Sequence, residues 1–304
     1  MPKRCTLGHR MALDALRERL PALYAARDAA SRYDADGIHD MRVASRRLRA
    51  ALVAHKSQLK RKTTDELLSR FKAITGGLGV ARELDVTRAL LERKRTKMKG
   101  APRTAATQVL GALRDLRNSE TQSVDAGVHL ASEERVEAAF QELAASARKC
   151  KHCYLASAEE ALVKRFAILG KRYALWQKTH SEEDLHQVRI AFKHLRYHAE
   201  VFKQLYGESM GPFIKELKFT QEHLGAWNDA RVLRDYVERL AHDLNGKAAD
   251  GVAQLYSALD RDTDDLLETF EKGATHLFTE ESQGRIRALF ANPMHTCCDH
   301  RKDE

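Results

Sequence analysis

The chain repeats itself, and this constrains its fold more than any other feature. Residues 38–49 (IHDMRVASRRLR) align with residues 185–196 (LHQVRIAFKHLR) at an offset of 147. His39/His186, Arg42/Arg189, Ala44/Ala191, Leu48/Leu195 and Arg49/Arg196 are identical pairs. A second block, residues 78–86 (LGVARELDV), aligns with 224–232 (LGAWNDARV), and Lys72 upstream of it matches Lys218. Self-similarity at a fixed offset signals one structural unit used twice. The repeats divide the chain into a first copy at residues 1–150, a second at 151–292 and a polar tail at 293–304.

The periodicity inside each copy is helical. Only 16 Gly and 5 Pro occur among 304 residues, so long helices meet few breakers. Amphipathic segments are expected from about residue 10, then over about 36–60, a third ending near Gly76–Gly77, and then over about 82–97, 103–128 and 133–148. In the second copy they are expected at about 153–178, 182–206, 213–224, 227–244, 249–273 and 280–290. Thr63 and Glu66 form a capping-box pattern, and Ser181 is placed to cap the helix that follows it. Pro21 marks either a kink in the first helix or its true start. No alternating run suits a sheet, so the expected class is all-α: two pseudo-symmetric antiparallel helical bundles, each of four-helix type with extra segments.

On a helix, His39, Arg42, Arg46, Arg49 and Lys56 fall within an arc of about 100°. Met41, Ala44, Leu48, Leu52 and Leu59 fall opposite. In the second copy His186, Arg189, Lys193, Arg196 and Lys203 share a face interrupted by Glu200, backed by Val188, Leu195, Ala199, Phe202 and Tyr206. Each helix therefore has one face to bury and one row of cations to present. Like charges four residues apart on a helix repel by a few tenths of a kcal/mol. A solvated surface helix would normally mix signs.

The chain has 52 Lys+Arg, 43 Asp+Glu and a formal net charge of +9, so acids are available. Their scarcity along the repeated row points to a negative partner supplied from outside. Glu83, Asp85 and Asp229 are the internal partners that would make the rows merely structural. Duplication of the full spacing weighs against that. Arg suits phosphate because its planar fork donates two parallel hydrogen bonds.

The first residues lack a signal-peptide core, and no run is long enough to span a bilayer. Five cysteines without a compact secreted framework point to reduced thiols in a cytosol. Cys150/Cys153 and the His295–His300 cluster have donor types suited to a metal. Each lacks a second well-spaced pair nearby, so both are expected to be ordinary helix-end and tail residues. No metal or other cofactor is expected.

These motifs together resemble the CHAD domain, the conserved histidine α-helical domain. The resemblance is carried by the two His-x-x-Arg helices, the Leu78-Gly and Leu224-Gly segments, Arg82 through Val86, and Asn228-Asp229, and extends over about residues 8–290. It implies two bundles around a basic central groove or pore, with inorganic polyphosphate as ligand and polyphosphate granules in the cytoplasm as location. By position the binding residues it implies are His39, Arg42, Arg46, Arg49 and Lys72, with His186, Arg189, Lys193, Arg196 and Lys218. Arg82/Glu83 and Asn228/Asp229 are expected to orient the stripe or cap a helix, and Trp227 and Tyr197 to pack. The Glu-x-Glu-x-Lys strand of an often-fused triphosphate-processing domain is missing, so a non-catalytic role is expected.

A binder of RNA or DNA backbones is the alternative, although the stripe has few aromatics for stacking and no known reading module stands out. An enzyme using His39 or His186 as nucleophile or acid would need a metal or positioned base that the sequence does not place there. The Glu-rich outward face near 133–142 is available for other granule proteins. No membrane partner is expected.

Overall fold

The computed structural model describes residues 6–146, 153–244 and 246–294. Twelve α-helices and no strand occur among them: α1 (Leu7–Ser31), α2 (Ala35–Ala54), α3 (Arg61–Gly77), α4 (Gly79–Arg95), α5 (Gly100–Asn118), α6 (Thr121–Leu130), α7 (Glu133–Ala145), α8 (Tyr154–Thr179), α9 (Glu182–Tyr206), α10 (Met210–Ala241), α11 (Lys247–Leu277) and α12 (Glu280–Ala291). The expected all-α class is what the structure shows. The repeat reappears in the helix starts. Leu7 and Tyr154, Ala35 and Glu182, Gly100 and Lys247, and Glu133 and Glu280 each open helices 147 residues apart.

Local chemistry explains several boundaries. Asp34 caps α2 by accepting from the Gly37 amide at 2.7 Å. Ser181 caps α9 through the Asp184 amide at 3.1 Å, as the sequence predicts. Thr63 does not cap α3, which starts two residues earlier at Arg61 and has no side-chain cap bond. Thr63 is instead buried in its first turn. Pro21 lies inside α1.

Three expected segments differ from the observed helices. The segment at 36–60 is helical only to Ala54, and Lys56 lies in a short 3₁₀ turn with its ammonium 2.7 Å from Asp65. The segment at 103–128 splits into α5 and α6. The break falls at Ser119 and Glu120, and the Ser119 hydroxyl competes for a backbone partner by bonding the Leu116 carbonyl at 2.8 Å. The segments at 213–224 and 227–244 are one helix, α10. Gly225 inside it costs about 1 kcal/mol relative to Ala. Burial of its neighbours Leu224 and Trp227 offsets that cost.

The main core takes side chains from both copies, with α1 packed on α2 and α8 on α9. Met41, Leu48, Leu52, Val188, Leu195 and Phe202 are all essentially inaccessible. The apolar faces read from periodicity are therefore the buried faces. A smaller core joins Leu84 and Leu91 of α4 and Val109 and Leu113 of α5 to Leu233 and Val237 of α10 and Leu255 and Leu259 of α11. It ties α4 and α5 of the first copy to α10 and α11 of the second, and α2 meets α9 directly. These contacts bring the two basic helix faces together.

Candidate anion-binding site

A cavity of about 290 Å³ lies where α2, α4, α9 and α10 meet. Helix α2 contributes His39, Arg42 and Arg46, and α9 contributes Arg189 and Lys193. Helix α4 adds Gly79, Arg82 and Glu83; α10 adds Gln221, Gly225, Asn228 and Asp229. Arg46 and Lys193 also line a second cavity of about 510 Å³ with Arg49, Arg165 and His194. The stripes thus meet across shared space instead of facing bulk solvent separately.

The break between α3 and α4 places Arg42. Helix α3 ends at Gly77, leaving its last carbonyls without helical partners. The Arg42 guanidinium donates to one of them, the Thr75 carbonyl. Gly77 lets α6 pack closely against the end of α3, because a Cβ there would come 2.7 Å from the Ser123 carbonyl. A Cβ on Gly79 would press to 3.3 Å from the same guanidinium. The second copy has no such break, because α10 runs through the equivalent stretch. Arg189 is placed differently: Asp229 lies close enough to favour its charge without forming an ion pair, and its buried Nε has no hydrogen-bond partner. The Nε of Arg46 is likewise buried without one.

Among the described residues, Arg42, Arg46, Arg49, Arg82, Arg189 and Lys193 form no ion pair. Crowding of unpaired cations in a partly dry site should disfavour their own charge. Burial, then Arg46 and Arg82, pulls Arg42 down to about 10. Burial, then Arg189 and Arg46, pulls Lys193 down to about 7. His39 is lowered by burial and Arg82, and His186 by burial and Arg189, so both favour the neutral imidazole that still donates one hydrogen bond. Asp229 is raised by burial even though Arg189 and Lys193 oppose the shift. Glu83 and Asp229 are two carboxylates against the five cations Arg42, Arg46, Arg82, Arg189 and Lys193, too few to neutralise the cluster.

Six of the ten expected residues line the joined cavities: His39, Arg42, Arg46, Arg49, Arg189 and Lys193. His186 sits on the same face of α9 and is partly buried, but lines neither. Arg196 is drawn aside. Its Nε donates to Gln221 at 2.8 Å, its terminal nitrogen pairs with Glu200 at 3.0 Å, and its guanidinium stacks over Tyr197. Lys72 and Lys218 are exposed and line neither cavity, and Lys218 faces Glu222 at 3.7 Å. Lys203 lies in a separate mixed-charge cavity with Glu18 and Glu200. Arg82 and Asp229, expected to orient or cap, line the cavity itself. Their place in the second repeated block was the available signal. Arg165 had none, because it lies outside both blocks. Trp227 is buried as expected; Tyr197, expected only to pack, is buried but also lines the second cavity.

Every strong group in the joined cavities except Glu83 and Asp229 is a donor or a cation, which suits a ligand made of closely spaced anionic oxygens. Among the described residues no group of three His, Cys, Asp or Glu is arranged to hold a metal ion. Cys150 and the His295–His300 cluster lie outside the described residues. No described helix is long and apolar enough to cross a membrane.

Fold and site together define an all-helical protein with a cationic cavity where two repeated helices meet. The chain belongs to the CHAD domain family, whose model matches residues 14–238. The crystal structure of the CHAD domain from the plant Ricinus communis is similar, with a TM-score of 0.62 and 22% identity over 98% of this chain and 96% of that one. PptA from Streptomyces chartreusis is similar at a TM-score of 0.59 and 14% identity, over 90% of this chain and all of the other. At these identities the likeness is one of fold. No curated protein matches the sequence.

Proposed function

We propose that the protein binds inorganic polyphosphate in the joined cavities, without chemical turnover, and that this binding directs it to polyphosphate granules. The observation that carries the reading is the set of Arg42, Arg46, Arg82, Arg189 and Lys193 around one cavity, none of them in an ion pair among the described residues. A chain with an anionic group at every repeat supplies the countercharge that these five cations lack. Membership of the CHAD family supports the choice of phosphate polymer.

The test is equilibrium binding of long-chain polyphosphate at several salt concentrations. Counterion release makes affinity fall steeply and log-linearly with salt. The double reversal Arg42→Glu/Arg189→Glu should abolish binding while leaving the helical circular dichroism intact. Binding unchanged by the reversal would refute the assignment. The second reading, a nucleic-acid backbone binder, predicts that RNA competes as well as polyphosphate at equal phosphate concentration. Granule targeting is tested by a fluorescent fusion in cells with and without polyphosphate. Phosphate release by the purified protein, lost in a His39/His186 double variant, would replace the non-catalytic reading with an enzymatic one.

A further inference from the structure

We infer that a long phosphate chain leaves the central cavity on the α8 side, through a second chamber where Arg165 and Arg49 hold it, and that this second grip makes the protein select long chains over short ones. The inference rests on the polyphosphate reading above.

The second chamber is the cavity of about 510 Å³ that shares Arg46 and Lys193 with the first. It adds Arg49 of α2, Arg165 of α8 and His194 of α9, and no carboxylate lines it. Arg165 is partly buried, and that burial alone lowers its pKa. His194 is lowered by burial and then by Arg165, Arg49 and Lys193. Those three cations therefore converge on one imidazole, which in its neutral form can still donate a hydrogen bond. Ala50 and Ile190 form apolar walls, which reduce screening and strengthen the field of the cations.

The other direction is closed by charge. The stripe continues past Lys193 to Arg196, which Glu200 and Gln221 already hold. Beyond it lies a cavity of about 440 Å³ where Arg19, Arg47 and Lys203 alternate with Glu18 and Glu200. The repeat register makes the contrast sharp. At the 147-residue offset Glu18 takes the place of Arg165, and Glu200 takes the place of Val53. With Arg47 in the place of His194, three lining positions of the second chamber have counterparts in this cavity, and the counterparts include two acids where the chamber has none.

Distance adds the length requirement. From His39 to Arg49 the helix rises about 15 Å at 1.5 Å per residue. A triphosphate is shorter than that run and is satisfied within the first cavity. A long chain spans both chambers and gains the second set of contacts.

The experiment measures affinity for tripolyphosphate and for long-chain polyphosphate in the unaltered protein, Arg165→Glu and Lys203→Glu. Arg165→Glu is expected to weaken the long chain by about tenfold or more, the scale of a lost charge-assisted hydrogen bond, while tripolyphosphate affinity stays unchanged. Lys203→Glu should leave both affinities unchanged. If Arg165→Glu unfolds, Arg165→Gln gives the same comparison. Equal weakening of both ligands, or none of either, overturns the second chamber. Survival of long-chain binding in Arg165→Glu, together with its loss in Arg42→Glu/Arg189→Glu, would remove the exit and leave the central site standing. Failure of the unaltered protein to bind either ligand would remove both.

Discussion

Lys193 is the residue whose chemistry is most altered by its position. It sits between Arg189 of its own helix and Arg42 and Arg46 of α2, with Asp229 of α10 as the opposing charge. Burial and these neighbours pull its pKa down to about 7, so its protonation changes near neutral pH. A bound polyanion favours the ammonium and raises that pKa. In the window from about pH 7 up to the bound-state value, the complex then carries more protons than the free protein. Affinity should fall as pH rises through this window and level off below it. Titration calorimetry in buffers of different ionisation enthalpy should register proton uptake at pH 7.5. Lys193→Arg keeps the charge and should flatten the pH dependence. A flat profile in the unaltered protein would count against the pairing of Lys193 with the ligand.

Asp85 and Arg117 carry the opposite lesson at the same scale. The sequence made Asp85 a possible partner for the stripe, but it pairs with Arg117 of α5 at 2.9 Å, each side chain less than a tenth exposed. Arg117 also donates to the Tyr33 carbonyl at 3.1 Å, in the turn before α2. Asp85→Ala leaves a buried guanidinium without its countercharge and should destabilise the fold by about 3–5 kcal/mol. Urea denaturation checks this. Asp85→Leu/Arg117→Met should recover much of the loss, because it removes both charges.

At the scale of elements, α2 is positioned by its crossing with α1. A Cβ on Gly37 would come within 2.5 Å of the Ala30 amide nitrogen and the Ala29 methyl. Gly37→Ala gains about 1 kcal/mol of helix propensity. It must also move one backbone against another, and overpacking of that kind costs about 1–3 kcal/mol. The net expectation is a lower melting temperature and weaker polyphosphate binding, although no cation has been touched. Unchanged binding with lowered stability would show that the tilt of α2 matters less to the site.

How much of this was legible follows from what each element depends on. Helices with one apolar and one charged face, such as α2 and α9, were readable because their periodicity is also their burial pattern. Caps with a short local partner, such as Ser181, were readable too. The fusion of α10 and the break between α5 and α6 were not, because propensity is weak beside tertiary packing. The site shows the same division. His39, Arg42, Arg46, Arg49, Arg189 and Lys193 share faces fixed by helical geometry. The fate of Arg196 turned on Gln221, twenty-five residues away, and Arg165 belongs to a helix whose approach no local pattern encodes.

For the whole molecule, the cavity is a source of strain as well as a site. Five cations face one another with only Glu83 and Asp229 as the acids lining the cavity with them. The folded protein without ligand therefore retains repulsion that an unfolded chain would relieve. Replacing one member with an apolar residue of similar length should ease that repulsion while removing a ligand contact, a common pattern when sites are built against stability. Lys193→Met is the informative case, because Lys193 lies between both chambers. The variant should be more stable than the unaltered protein without ligand, on the order of 1 kcal/mol. Long-chain polyphosphate should raise the melting temperature of the unaltered protein, since a ligand bound only to the folded state stabilises it by mass action. It should raise that of Lys193→Met much less. The two curves would then cross, with the variant more stable alone and the unaltered protein more stable when loaded. A Lys193→Met protein that is less stable without ligand would mean that packing of the lysine stem outweighs charge repulsion, and that the cavity is better balanced internally than its ion pairs indicate.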